Sequence, residues 1–310
     1  MKCLIVQPVH EEGLDLLRQN GIEPVICPDP SMSTVASLVP GCEAVITRDA
    51  GFKEEAFAAA DILKVVVVHG AGHDAVDKES ATRHGVLVCN TPGANAQSVS
   101  ELALGLALAA ARLLPAADRE ERAGKFGFRN RNKTVELQGK TALVVGWGHT
   151  GSRLGKMLRG ALDMRVLVHS PRASDIGDFE RASSLEAGLA EADLISLHTP
   201  FRPETRHMIN RQSLALTKPG AILVNTARAG LVDEDALLEA LNSGHLFAAG
   251  LDVYQDDAPQ GALGQSDRVI FAPHLGGATE EAMRRIAVAS VQNVLTALSG
   301  KRPATSLNLG

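Results

Sequence analysis

Gly146, Gly148 and Gly151 stand in a GxGxxG spacing, directly after the apolar run Thr141–Val145 and before the helical pattern Ser152–Leu162. The first glycine permits a tight turn and the second lets backbone approach a pyrophosphate. The third lets helix and strand pack closely, with phosphates on the helix N-terminus. The spacing alone is a weak signal; a strand before it and a helix after it are what the motif requires. About twenty residues further on, an acidic side chain would bind the adenosine ribose hydroxyls. Ser170, Pro171 and Arg172 stand there instead. A carboxylate would repel a 2′-phosphate, whereas a hydroxyl and a guanidinium can bind one. The expected cofactor is NADP, as NADPH, with NAD as the alternative.

Three later segments carry the other reactive groups. AILVNTARAG ends a buried run in Arg228, GLDVYQDD ends one in Asp256 and Asp257, and FAPHLGG ends one in His274. Each stands at the carboxyl end of an expected parallel strand, where open α/β sheets hold their ligands. A guanidinium matches a planar carboxylate with two prongs. Histidine is the side chain whose ordinary pKa suits proton exchange with an alkoxide near neutrality. Singly, each has a plainer reading: Arg228 as a helix cap, His274 as a turn histidine, Arg172 as a solvated charge. His69 and His73 flank a glycine-rich loop, and no His, Cys or carboxylate cluster has ligand spacing, so no metal is expected.

The elements that must position these groups are legible as alternation. Short β-branched runs recur at Leu4–Val6, Pro24–Ile26, Ala44–Thr47, Val65–Val68 and Val86–Cys89. A second set follows at Ala142–Val145, Val166–His169, Leu194–Leu197, Ala221–Asn225, Ala249–Val253 and Val269–Ala272, with helical patterns between them. Such alternation gives parallel sheets covered on both faces. A chain of 310 residues buries roughly three quarters of its unfolded surface and exceeds one usual core. The expectation is α/β, with two doubly wound parallel-sheet domains and an active-site cleft between them. A flavodoxin-like substrate domain comprises residues 1–97 plus 285–310, and a Rossmann cofactor domain residues 98–284. Ser98–Leu114 reads as one long apolar helix, Asp118–Lys140 as loop or extended chain, and Glu280–Leu298 as a second long helix.

A net charge of −5 without a basic block, and 3% aromatics, argue against a nucleic-acid or anionic-membrane partner. The most apolar stretch, Leu102–Ala111, is about half of what a bilayer requires. The N-terminus turns acidic too early for a signal peptide. Four cysteines, Cys3, Cys27, Cys42 and Cys89, lack CxxC pairing and read as buried thiols. A cytoplasmic protein is expected.

In chain order, the segments VHGAGHDAVD (68–77), NTPGAN (90–95), the Gly146–Gly151 loop, LHTP (197–200) with Glu204-Thr-Arg206, NTARAGLVD (225–233) and PHLGG (273–277) together resemble the D-isomer-specific 2-hydroxyacid dehydrogenases. The resemblance covers nearly the whole chain. It implies that Arg228 grips the carboxylate and carbonyl of a 2-oxo acid and that His274 is the acid/base. Asp257 falls where the family places the glutamate that pairs with that histidine. Here the residue is one methylene shorter and Ala258 precedes Pro259, so Asp256 competes for the role. Gly70, Ala71 and Gly72 would offer N–H groups to the substrate carboxylate, with Asn95 nearby. Thr199, Thr226, Ala227, Asp252 and Gly276 would line the cofactor, Asp252 near the nicotinamide carboxamide, and His149 and Thr150 would lie over the pyrophosphate.

The implied activity is reduction of a small 2-oxo acid, glyoxylate or hydroxypyruvate, by a homodimer paired through the Ser98–Leu114 helix. Within the class the alternative is a short phosphoglycerate dehydrogenase, with no regulatory domain after Gly310. Outside it stands a nicotinamide-sensing binding protein of the same fold; a formate dehydrogenase ranks lower.

Overall fold

The structure is a computed structural model that describes residues 1–309. The chain divides into two compact units, Met1–Asn95 with Gly277–Gly310, and Ala96–Gly276. Gly310 itself lies outside the described residues.

The first unit begins with β1 (Lys2–Ile5), α1 (Glu11–Gln19), β2 (Glu23–Ile26), α2 (Met32–Leu38) and β3 (Ala44–Thr47). It continues through α3 (Glu54–Ala59), β4 (Val65–Val68), α4 (Lys78–Arg83) and β5 (Leu87–Cys89). The second unit opens with α5 (Ala96–Arg112), α6 (Leu114–Arg122), α7 (Phe128–Arg131), β6 (Thr141–Val145), α8 (His149–Leu162) and β7 (Arg165–His169). Next come β8 (Glu180–Arg181), α9 (Leu185–Glu191), β9 (Leu194–Leu197), α10 (Arg211–Ala215) and β10 (Ala221–Asn225). It ends with α11 (Glu234–Asn242), β11 (Leu246–Leu251) and β12 (Val269–Phe271). The chain then returns to the first unit as α12 (Glu280–Leu298).

Both sheets are wholly parallel, in the order β2-β1-β3-β4-β5 in the first unit and β12-β11-β10-β9-β6-β7-β8 in the second. Alternate strand residues feed different cores. In β4, Val66 and Val68 pack on one face while Val65 and Val67 pack on the other, beside α12 residues Val291 and Val294. In β10, Leu223 faces one core and Ile222 and Val224 the other. A strand buried on both faces explains why these runs are continuously apolar rather than alternating. All four cysteines are free and buried.

Three expectations change. The helix expected over Ser98–Leu114 stops at Arg112, because Leu113 turns left-handed (φ 50°) and α6 leaves at 59° with Pro115 in its first turn. Proline there gives up an N–H that has no helical partner anyway. Asp118–Lys140 is therefore not all loop: it carries the end of α6 and all of α7. A domain boundary at 284/285 would cut α12, an unbroken helix capped by Thr279, whose side chain accepts from Ala282 N–H. The junctions instead fall at Asn95/Ala96 and Gly276/Gly277. Among the described residues, no single helix is long and apolar enough to cross a membrane.

Within the first unit, Gly13 of α1 lies against α12: a Cβ there would stand 2.9 Å from the Cβ of Ala287. Gly160, on α8, has nothing within 4 Å. Gly13→Val should therefore lower stability by about 1–3 kcal/mol through overpacking. Gly160→Ala should raise it by about 0.5–1 kcal/mol through helix propensity. Thermal and urea denaturation of the two variants checks both signs.

Candidate active site

In the second sheet the strand order reverses between β6 and β9, the place where doubly wound sheets bind their ligands. Gly146 follows β6 there with φ +100°, a conformation that favours glycine. A Cβ on it would lie 2.7 Å from His198 C, His198 O and Thr199 N. A Cβ on Gly151 would lie 2.0 Å from Gly146 O. Gly148 is the N-cap of α8 and supplies no side-chain cap, so the N–H groups of His149, Thr150 and Gly151, at the start of a fourteen-residue helix, have no intrahelical partner. A cradle that tolerates no side chains, at an uncapped helix N-terminus, fits a dinucleotide pyrophosphate. Ser100 of α5 reaches this turn, its Oγ 3.0 Å from Thr150 O.

Thr199 and Thr226 stand at the carboxyl ends of neighbouring β9 and β10. Between them sits His198, whose Nε2 is 2.8 Å from Ser196 Oγ and whose Nδ1 is 3.5 Å from Thr226 Oγ1. Burial pushes its pKa down to about 4, so the ring is neutral.

Arg228 is partly buried in the turn after β10, with Nη1 donating to Ala227 O at 2.6 Å. That turn is built around Asn225, which is fully buried. Its Oδ1 accepts from Ala227 N–H at 3.0 Å and its Nδ2 donates to Arg228 O at 2.9 Å. His274 is exposed and follows β12 at φ +53°. Its N–H donates to Asp252 O at 3.1 Å and Ala272 O at 2.8 Å. Asp252, 2% exposed at the end of β11, accepts from Leu275 N–H at 2.6 Å and Gly276 N–H at 3.0 Å. Burial raises its pKa, opposed by those two N–H groups and by the charge of His274. A Cβ on Gly276 would stand 2.9 Å from Asp252 Oδ2, so the glycine lets the carboxylate approach. Asp252 thus fastens the loop that carries His274.

Asp256 and Asp257 are both exposed, and neither is hydrogen-bonded to His274. Asp257 O accepts from Gln260 and Gly261 N–H, closing a turn. The charge of Asp257 is felt by Glu234, a half-buried carboxyl that accepts from Gln255 N–H at 2.8 Å. Burial is the main cause of its raised pKa. Ser170 and Arg172 follow β7 on a short turn closed by Ala173 N–H on Ser170 O. Among the described residues, no group of three His, Cys, Asp or Glu side chains is arranged to hold a metal ion.

In the first unit, Gly70 follows β4 with φ +148°. Its N–H is already used, donating to Val68 O at 2.9 Å and Thr91 Oγ1 at 3.0 Å. The expectation of three N–H donors there narrows to Ala71 and Gly72, with Ala71 O held by Asn90 Nδ2 at 2.8 Å. Asn95 packs under Gly277, where a Cβ would meet its Nδ2 at 2.9 Å.

A family model described as "D-isomer specific 2-hydroxyacid dehydrogenase, NAD binding domain" matches residues 104–276. The chain belongs to the D-isomer specific 2-hydroxyacid dehydrogenase family. It is 36% identical over its whole length to D-3-phosphoglycerate dehydrogenase of Archaeoglobus fulgidus, of which it spans 59%. It is 34% identical to hydroxypyruvate reductase of Thermotoga maritima, matching 94% of this chain and 96% of that one. The TT0316 protein of Thermus thermophilus superposes with a TM-score of 0.91 at 34% identity, over 99% of this chain and all of that one.

In this 2-hydroxyacid dehydrogenase fold, sequence reasoning passed over Asn225 and His198. Both sit inside quoted motifs, NTARAG and LHTP, and that placement was the available signal. His198 has a measurable consequence. Its folded pKa of about 4 lies below the ordinary 6.5, so in that window the unfolded chain binds a proton that the folded chain does not. Stability is full above pH 6.5 and falls as the pH drops towards 4, by up to about 3 kcal/mol from this residue. His69, likewise pushed down to about 4 by burial, adds a second contribution of the same sign. Urea denaturation between pH 7.5 and 4.5 should show this slope, and His198→Asn should reduce it without removing it.

Proposed function

We propose that the protein is a cytoplasmic reductase that converts glyoxylate or hydroxypyruvate to the D-hydroxy acid with NADPH. The observation that carries this reading is the carboxyl edge of adjacent strands β10, β11 and β12. Asn225 shapes the turn bearing Arg228 there, and Asp252 fastens the loop bearing His274. When bound, the nicotinamide supplies the hydride. Arg228 holds the 2-oxo acid through its carboxylate, polarising the carbonyl with its fixed charge. An imidazole N–H of His274 donates the proton that the carbonyl oxygen requires and recovers it in the reverse direction. Ala71 and Gly72 offer N–H donors to a carboxylate, and Asp257 is the proposed carboxylate partner of His274, with Asp256 its competitor. Leu108 on α5 and Leu114 on α6 are 39% and 54% exposed, which favours a homodimer through this region.

The likeness to D-3-phosphoglycerate dehydrogenase favours a second reading, in which the substrate carries a phosphate. Arg48, at the carboxyl end of β3, makes no ion pair among the described residues and supports it.

The deciding experiment follows loss of reduced-cofactor absorbance with glyoxylate, hydroxypyruvate and 3-phosphohydroxypyruvate, comparing NADPH with NADH. Fast NADPH oxidation with the unphosphorylated acids is expected. Turnover confined to the phosphorylated acid selects the second reading, and none with any acid despite cofactor binding selects the sensor. His274→Ala should lower kcat by about 10²–10⁴ while cofactor binding persists. Asp257→Asn should cost more activity than Asp256→Asn; the reverse order reassigns the carboxylate.

A further inference from the structure

The segment from Ser170 to Arg181 is held more firmly than a surface loop needs to be. Arg181, on β8, turns its guanidinium back across the segment. Its Nη1 donates to Ser170 O at 2.9 Å and its Nη2 to Ala173 O at 2.8 Å. This fork spans the turn that presents Ser170 Oγ and Arg172. The base of the segment is fixed separately, since Phe179 packs edge-on against Trp147 with ring centroids 4.7 Å apart. The Arg159 guanidinium lies over the Phe179 ring, 3.9 Å from its centroid, and pairs with Asp178 at 3.0 Å. Trp147 is the second residue of the glycine loop, so the pyrophosphate turn and the segment after β7 are packed together.

The turn is also cationic. Arg119, Arg122, Arg131, Arg159, Arg165 and Arg211 of the second unit each pair with a carboxylate. Arg172 and Arg181 have no carboxylate partner among the described residues. The acceptors of Arg181 are two neutral carbonyls, which leave its full charge on the turn. Asp175, the carboxylate nearest to Arg172 in sequence, accepts from Gly177 N–H at 2.7 Å instead, and Glu180, next to Arg181, pairs with Arg165. Two unpaired guanidinium groups and a hydroxyl therefore share one braced turn at the carboxyl end of β7.

Resting on the NADPH reading, we infer that Arg181 is the positioning residue for the 2′-phosphate of the cofactor. Its two-pronged hold on the Ser170 and Ala173 carbonyls sets the turn, so that Ser170 and Arg172 meet the phosphate without first having to be ordered. A preorganised anion site avoids that ordering entropy, and a guanidinium can grip two carbonyls where an ammonium cannot.

The test measures KM and kcat for NADPH and NADH in the wild type, Arg181→Gln, Arg181→Lys and Arg172→Gln. Quenching of Trp147, the only tryptophan in the chain, gives cofactor binding directly. The wild type should prefer NADPH. Arg181→Gln should raise KM for NADPH about tenfold with little change in kcat or in KM for NADH. Arg181→Lys should lose most of the same preference. Unchanged NADH kinetics show that the variants are folded. Retained NADPH selectivity in Arg181→Gln overturns the inference and leaves the cofactor reading standing. Full selectivity in Arg181→Lys also overturns it, assigning the effect to charge alone. A loss for both cofactors alike overturns it in favour of a general structural role. A wild type that prefers NADH overturns the cofactor reading and this inference together.

Discussion

Between the carboxyl ends of β6 and β9 the backbone of His198 and Thr199 comes so close to Gly146 that no Cβ could stand there. The remaining arrangement of the cofactor unit depends on this contact. It holds the glycine loop at the point where strand order reverses, and it leaves the N-terminus of α8 open to an anion. The second close approach, Gly151 against Gly146 O, turns the chain directly from β6 into α8. The phosphate cradle is thus a consequence of parallel packing and missing side chains more than of any polar residue.

Around that centre, buried polar groups act on backbone rather than on ligand. Asn225 shapes the Arg228 turn, Asp252 fastens the His274 loop, and the neutral ring of His198 bridges Ser196 and Thr226. Each is buried or partly buried with its hydrogen bonds made, as the cost of burying an unpaired polar group requires. Arg228 and His274, which would meet a substrate, are less buried and carried on turns. In the proposed mechanism this division leaves the chemistry to two side chains and the geometry to their neighbours.

From the amino-acid sequence one reads the strand–helix alternation, the two parallel sheets, the glycine loop, and Arg228 and His274 at strand ends. Those features are local: apolar runs, glycine spacing and the residue that follows a strand. The end of α5 was not legible, because it turns on the left-handed conformation of one leucine, Leu113, within an apolar stretch. Helices α6 and α7 were hidden by polar composition. The domain junction was misplaced because periodicity does not say which sheet a long helix covers.

The sequence by itself determined the family, the fold class and which side chains could take part in the reaction. Tertiary structure alone decided which of them are held, and by what. Arg181 grips carbonyls eight and eleven residues away, and Asp252 binds N–H groups more than twenty residues further along. Gly70, expected to offer its N–H to a ligand, gives it to Val68 and Thr91 instead. Such contacts join side chains to backbone groups of other segments, and backbone donors and acceptors are the same at every residue. No residue type or spacing encodes them; they exist only once the strands are in register and their carboxyl ends are brought side by side.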